Sequence, residues 1–175
     1  MKETKISENS TFYNYTLVKK INYPPVLKTI YLSFITLLAV FDLYHLQENG
    51  LITFIICFVG VYFLHYVLLR VSLQLTQDPS LGTWGQHWRI PCFGYLPNGY
   101  ASLQVLYRFH LQLLLIGTTL ITFFYVWLSL AFIINLLYFH LWLVLPRFFI
   151  LKKFMFLKKY GFVKFNKQDA SFYIP

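Results

Sequence analysis

Residues 102–145 read SLQVLYRFHLQLLLIGTTLITFFYVWLSLAFIINLLYFHLWLVL, forty-four positions with one glycine, no proline and no acidic side chain. As one straight helix the stretch would be about 66 Å long, roughly twice the hydrocarbon core of a bilayer. Either it turns back on itself, or it crosses once over 111–134 and continues along the interface. The fold depends on which of these holds.

Charge decides between them. Lysines and arginines fall at positions 2–28, 70–108 and 147–167, and none falls at 48–50 or 129–135. Two helices, over 103–128 and 131–150 with a turn near 129–135, put all fifteen cations on one side of a membrane. That is the distribution the positive-inside rule describes. A single crossing would leave the lysine-rich tail opposite every other cation. The chain is therefore expected to cross four times.

Upstream, VLKTIYLSFITLLAVFDLYHLQ (26–47) and LITFIICFVGVYFLHYVLLR (51–70) each match the bilayer core in length. The ENG at 48–50 joins them, with Gly50 expected in the left-handed conformation that closes a helix. The expected fold is an all-α integral membrane protein of four transmembrane helices in two hairpins. Its parts are a polar N-terminal arm (1–25), a first hairpin (26–71), an aromatic loop (72–101), a second hairpin (102–151) and a basic tail (152–175).

Composition agrees with a membrane setting. The chain is 58% hydrophobic and only 12% charged, with a mean hydropathy of +0.57, whereas soluble domains are about a quarter charged. The net charge of +9 is not read as nucleic-acid binding, because the cations sit at the edges of apolar segments. Cys57 and Cys92 are too few for a disulfide framework, and no CxxC spacing exists. The start, MKETKISENS, fits neither a secretory signal nor an acid-free organellar presequence. Asn9 and Asn14 head N-x-S/T sequons, which matter only in a glycosylating lumen. Eleven lysines against four arginines, 19 phenylalanines and 14 tyrosines against four alanines indicate coding by an AT-rich genome.

The loop 72–101 holds three of the seven prolines and four of the eight glycines, so it is expected to be neither helix nor regular strand. Its rings, Trp84, Trp88, Phe93, Tyr95 and Tyr100, suggest docking at the headgroup level or beneath a neighbouring subunit. In the tail, Pro146 suits the first turn of a new or kinked helix, and Gly161 marks a stop. Lys152, Lys153, Lys158 and Lys159 point in several directions around a helical wheel. They are read as a polybasic segment for anionic lipid headgroups.

Polar groups inside a bilayer are costly and by default mark function. Asp42 and His45, three residues apart, are expected as an exposed or capping pair. His65 and His110 fall at a similar depth on the basic side, so they could ligate a haem b, with Arg108 meeting a propionate. Crowding by Phe63, Tyr66, Tyr107 and Phe109 weighs against that. His140, near the middle of the fourth span, has no expected histidine partner at its depth. It is read as neutral and hydrogen-bonded to Thr118 or Thr119, or as a contact to a partner's helix.

There is no HExxH, no nucleotide-binding glycine loop, no repeat and no set of serine, histidine and acid at a common depth. The chain is therefore expected to be a non-catalytic accessory subunit of a larger membrane complex. A mitochondrial-type respiratory complex is the favoured host, with a low-GC bacterial plasma membrane as the other setting and both termini on the positive-inside side. Its expected partners are other membrane subunits and anionic lipids. The alternatives are a haem-b or quinone-site membrane anchor built on His65 and His110, and a small bacterial transport or immunity protein.

Overall fold

The computed structural model describes residues 15–46, 48–76, 82–88 and 90–175 of the chain. Asn9 and Asn14, with their sequons, lie outside them. Among these residues four helices are long and apolar enough to cross a membrane: α1 (Pro25–Leu46), α2 (Glu48–Thr76), α3 (Leu103–Phe123) and α4 (Leu130–Leu157). They are apolar nearly all the way round, as helices surrounded by hydrocarbon are. A short 3-10 turn, Phe124–Val126, leads from α3 towards α4, so the stretch 102–145 does fold back on itself.

The fold is not all-α. Among the described residues six strands accompany the bundle: β1 (Thr16–Asn22), β2 (Trp84–Trp88), β3 (Phe93–Pro97), β4 (Ala101–Ser102), β5 (Phe162–Phe165) and β6 (Asp169–Ile174). Four of them form an antiparallel sheet in the order β1-β6-β5-β4. The segment expected to be a polar arm thus contributes an edge strand, paired from Thr16↔Ile174 to Asn22↔Asp169. The basic tail becomes the β5–β6 hairpin, with Val163 opposite Phe172. The loop expected to lack regular structure holds the β2–β3 hairpin, with Gln86 opposite Tyr95.

The sheet fixes the direction of the helices. It gathers the strand before α1, the strand before α3 and the strand after α4, so one end of the bundle carries all three. Ala101, Val163, Phe165, Ala170 and Phe172 turn inward onto Leu151 and Phe154 of α4, forming a core in which most residues are fully buried. Phe154 stacks on Phe172 with centroids 5.4 Å apart. Asp169 accepts hydrogen bonds from Asn166 Nδ2 (2.8 Å) and Ser171 Oγ (2.5 Å), and pairs with Lys20 at 3.4 Å. Burial pushes its carboxyl up, but the Ser171, Asn166 and Lys20 contacts outweigh this and hold it below the usual carboxylate range. Tyr23 meets Cys92 Sγ at 3.2 Å, and burial pushes that thiol up to about 11.

Two further expectations are corrected. Gly50 lies inside α2 and is not among the positive-φ glycines. A Cβ there would overlap the Asp42 carbonyl, so close passage of α1 is what requires glycine. Pro146 does not begin a new helix, because α4 runs through it to Leu157. A proline deprives the carbonyl four residues earlier of its donor. That carbonyl belongs to Trp142, and Tyr31 of α1 supplies its hydroxyl to it at 3.1 Å. Trp142 Nε1 donates to the Tyr31 carbonyl at 3.0 Å, and the two rings stack at 4.2 Å. A neighbouring helix thus repairs the broken ladder, which is how proline is tolerated within membrane helices.

Candidate functional site

Because α2 and α4 both run towards the sheet, they lie parallel, and two hydrogen bonds fix their register. Cys57 Sγ donates to the Phe132 carbonyl at 3.8 Å, and His65 Nε2 meets His140 Nδ1 at 2.7 Å. Both pairs are 75 residues apart in sequence. His140 therefore has a histidine partner at its own depth, contrary to the expectation from the sequence.

The surrounding carbonyl sets the tautomers. His140 Nε2 reaches the Leu114 carbonyl of α3 at 3.2 Å, and a carbonyl can only accept, so Nε2 carries the proton. In the neutral ring Nδ1 is then an acceptor, and His65 Nε2–H donates to it. His65 Nδ1 is left as a bare lone pair, buried and without a partner. Thr118 and Thr119 do not serve His140. Their hydroxyls bond back to Leu114 and Leu115 of their own helix at 2.6 and 2.9 Å, a habit of helical threonine.

His110 Nδ1–H donates to the Leu106 carbonyl at 2.8 Å, leaving Nε2 buried and unpartnered. Arg108 is exposed on the outer side of α3. Of the residues named for a haem, His65 Nε2 is thus hydrogen-bonded directly to His140 and His110 Nδ1 is taken up by its own helix, while Arg108 points outward. Among the described residues, no group of three or more His, Cys, Asp and Glu is placed to hold a metal.

Asp42 is neither exposed nor paired with His45. It is 1% exposed and accepts from Asn135 Nδ2 of α4 at 2.9 Å, while His45 is exposed. Asn135, His140 and Arg147 are thus buried polar positions on α4, the first bonded to Asp42 of α1 and the second to His65 of α2. Sequence reasoning counted Arg147 as a flanking cation, yet it is 1% exposed. The apolar FFIL that follows it is the signal that the helix continues beyond it. Its Nε donates to the Leu143 carbonyl at 3.0 Å, and its Nη1 has no partner.

Around Arg147 the β2–β3 hairpin closes the site. Gly94 holds a φ of +121°, which favours glycine, and a Cβ there would make ordinary contact with the guanidinium, 3.5 Å from Nη1. Arg147, His65, Tyr62, Gln86, Gly94 and Tyr95 are among the residues lining a cavity of about 10 Å³. Tyr62 donates its hydroxyl to Gln86 Oε1, and Arg70 Nη1 donates to the Tyr95 hydroxyl at 3.3 Å. Chemically the site offers a pair of imidazoles that can hold a proton, beside a guanidinium that has no ion-pair partner among the described residues.

The expected docking rings divide. Tyr95 is buried, and Trp84 packs against it and against Phe109. Tyr100 stacks on Tyr15 at 4.6 Å, whereas Trp88 is 72% exposed. Lys152, Lys153, Lys158 and Lys159 are all exposed at the sheet end of α4, beside exposed Phe156 and Tyr160. No protein-family model, curated protein or solved structure matches the chain.

Proposed function

We propose that this chain is an accessory subunit of a larger membrane assembly, non-catalytic by itself, which holds neighbouring helices and lipids in place. The observation that carries the reading is a contrast between inside and outside. Inside the bundle, polar side chains bond mainly to one another or to backbone, as in Asp42–Asn135 and His65–His140. The cavity beside Arg147 and another between α2 and α3 are about 10 Å³ each, room for roughly one water.

Outside, two apolar depressions of about 470 and 560 Å³ open on the bundle surface. One includes Gly60, Phe63 and Leu120, between α2 and α3. The other includes Leu27, Phe34, Leu141 and Phe149, between α1 and α4. Helix association in membranes depends on such shape-matched apolar packing. The four exposed lysines beside Phe156 and Tyr160 suit anionic headgroups at the sheet end. Residue usage typical of an AT-rich genome favours a respiratory complex as the host, in a mitochondrial inner membrane or a low-GC bacterial plasma membrane.

A photoreactive residue placed at Phe34 or at Phe63 tests this in the native membrane. The expected products are cross-links to the same defined membrane polypeptides in repeated preparations. The full chain should also migrate with them as one complex in mild detergent. Lipid-only cross-links from both positions, together with a monodisperse and thermally cooperative monomer, would overturn the proposal.

A further inference from the structure

Of the two surface depressions, the one between α1 and α4 runs to the charged end of the bundle. Its lining passes from Tyr138 to Ile150 on α4, about 18 Å by helical rise, and from Leu27 to Phe34 on α1. One leaflet of a bilayer core of about 30 Å is about 15 Å deep, so the groove matches the leaflet on the sheet side. At its inner end the Tyr138 hydroxyl donates to the Phe34 carbonyl and ties the two helices together. Between the helices Tyr31 stacks on Trp142, while Leu27, Ile30, Leu141 and Phe149 stand exposed along the walls.

Seven residues make close to two helical turns, so Lys152 continues the stripe of Leu145 on α4 and Lys153 continues that of Pro146. Both lysines are exposed, and Lys153 follows Phe149 by one turn. Lys28 stands next to Leu27 in the first turn of α1, at the positive end of that helix dipole. Both walls of the groove thus end in cations. The depression between α2 and α3 has no such end. It includes Phe124 and Leu128, beside the turn into α4, and neither 60–67 nor 120–136 contains a lysine or an arginine.

An apolar groove one leaflet deep with cations at its interfacial end complements an apolar chain that carries an anionic head. A partner's spanning helix needs matching surface through both leaflets, which this groove does not offer. We infer that the α1–α4 groove seats one acyl chain of an anionic phospholipid, with its phosphate on Lys152 and Lys153. The inference rests on the accessory reading only in naming one of the lipids that the chain holds. Phe34, 50% exposed at the inner end, stays open to a partner helix.

A photoreactive residue in place of Phe149, which is 61% exposed, tests this in the native membrane, with mass spectrometry reading the headgroup of each adduct. Phospholipids of net negative charge should be enriched about fivefold or more over their share of the membrane. Lys152→Gln with Lys153→Gln, both changes at exposed positions, should bring them back to that share. From Phe63, in the other depression, no enrichment is expected. A polypeptide adduct from Phe149 would assign the groove to a partner helix and overturn the inference. So would lipid adducts in proportion to the membrane, equal enrichment from Phe63, or enrichment unchanged in the lysine variant. Each of these leaves the accessory reading standing, which fails instead through lipid-only adducts at Phe34 and Phe63 with a stable monomer.

Discussion

Gly117 of α3 faces the His140 ring so closely that a Cβ there would overlap Cε1 and stand 3.0 Å from Nδ1. The ring cannot swing aside, because it is fully buried and bonded at both nitrogens. Gly117→Ala should therefore destabilise the chain by about 1–3 kcal/mol, as overpacking does. Combined with His140→Ala, it should recover about 0.5–3 kcal/mol relative to additivity. Unfolding of the single and double variants in detergent measures this, and strictly additive costs would show that the ring yields freely. A lone histidine in an apolar run did announce a hydrogen bond in the sequence. Its partner was hidden because the spans were expected to begin at 51 and 131, whereas the true register pairs residues 75 apart. That five-residue difference moves a side chain by about 7.5 Å in depth, enough to separate two imidazoles on paper. Arg147 was read as a flanking charge because the fourth span was expected to stop at 150, three residues beyond it, whereas α4 runs on to Leu157.

Among the elements, α4 depends on α1 at one backbone group. The Tyr31 hydroxyl serves the Trp142 carbonyl that Pro146 leaves without its usual donor. Tyr31→Phe should cost about 1 kcal/mol in thermal unfolding. In a Pro146→Ala background, where the helix can close its own ladder, the same change should cost clearly less. Equal costs in both backgrounds would show that the tyrosine does not act through this carbonyl. The helices were legible because long apolar runs and the placement of cations are strong signals. The strands were not. β1 exposes nearly every residue, and β6 buries four in succession, so neither shows the alternation of a half-buried strand. Among the described residues of 72–101, read as a loop, Gly85 and Gly94 lie within the strands of a hairpin and Pro91 lies between them.

For the whole molecule, the helix order puts the α1–α2 junction at one end and the sheet at the other. In sealed vesicles, Asn49→Cys and Lys158→Cys should react with an impermeant thiol reagent from opposite faces, and the native Cys57 and Cys92, both buried, should stay unlabelled. Labelling of both from one face would reject four crossings. The pairing of β1 with β6 bears on how the chain is made. Thr16 is translated long before Ile174, its partner in the sheet. Such long-range pairings form late, since the intervening chain must first be closed into a loop. While the ribosome is still at work, β1 waits without its strand, Asp42 and His65 lack their α4 partners, and Tyr31 has no carbonyl to meet. β6 acts as the clasp of the sheet, and a nascent chain released before α4 leaves the first hairpin with polar groups unsheltered in the membrane.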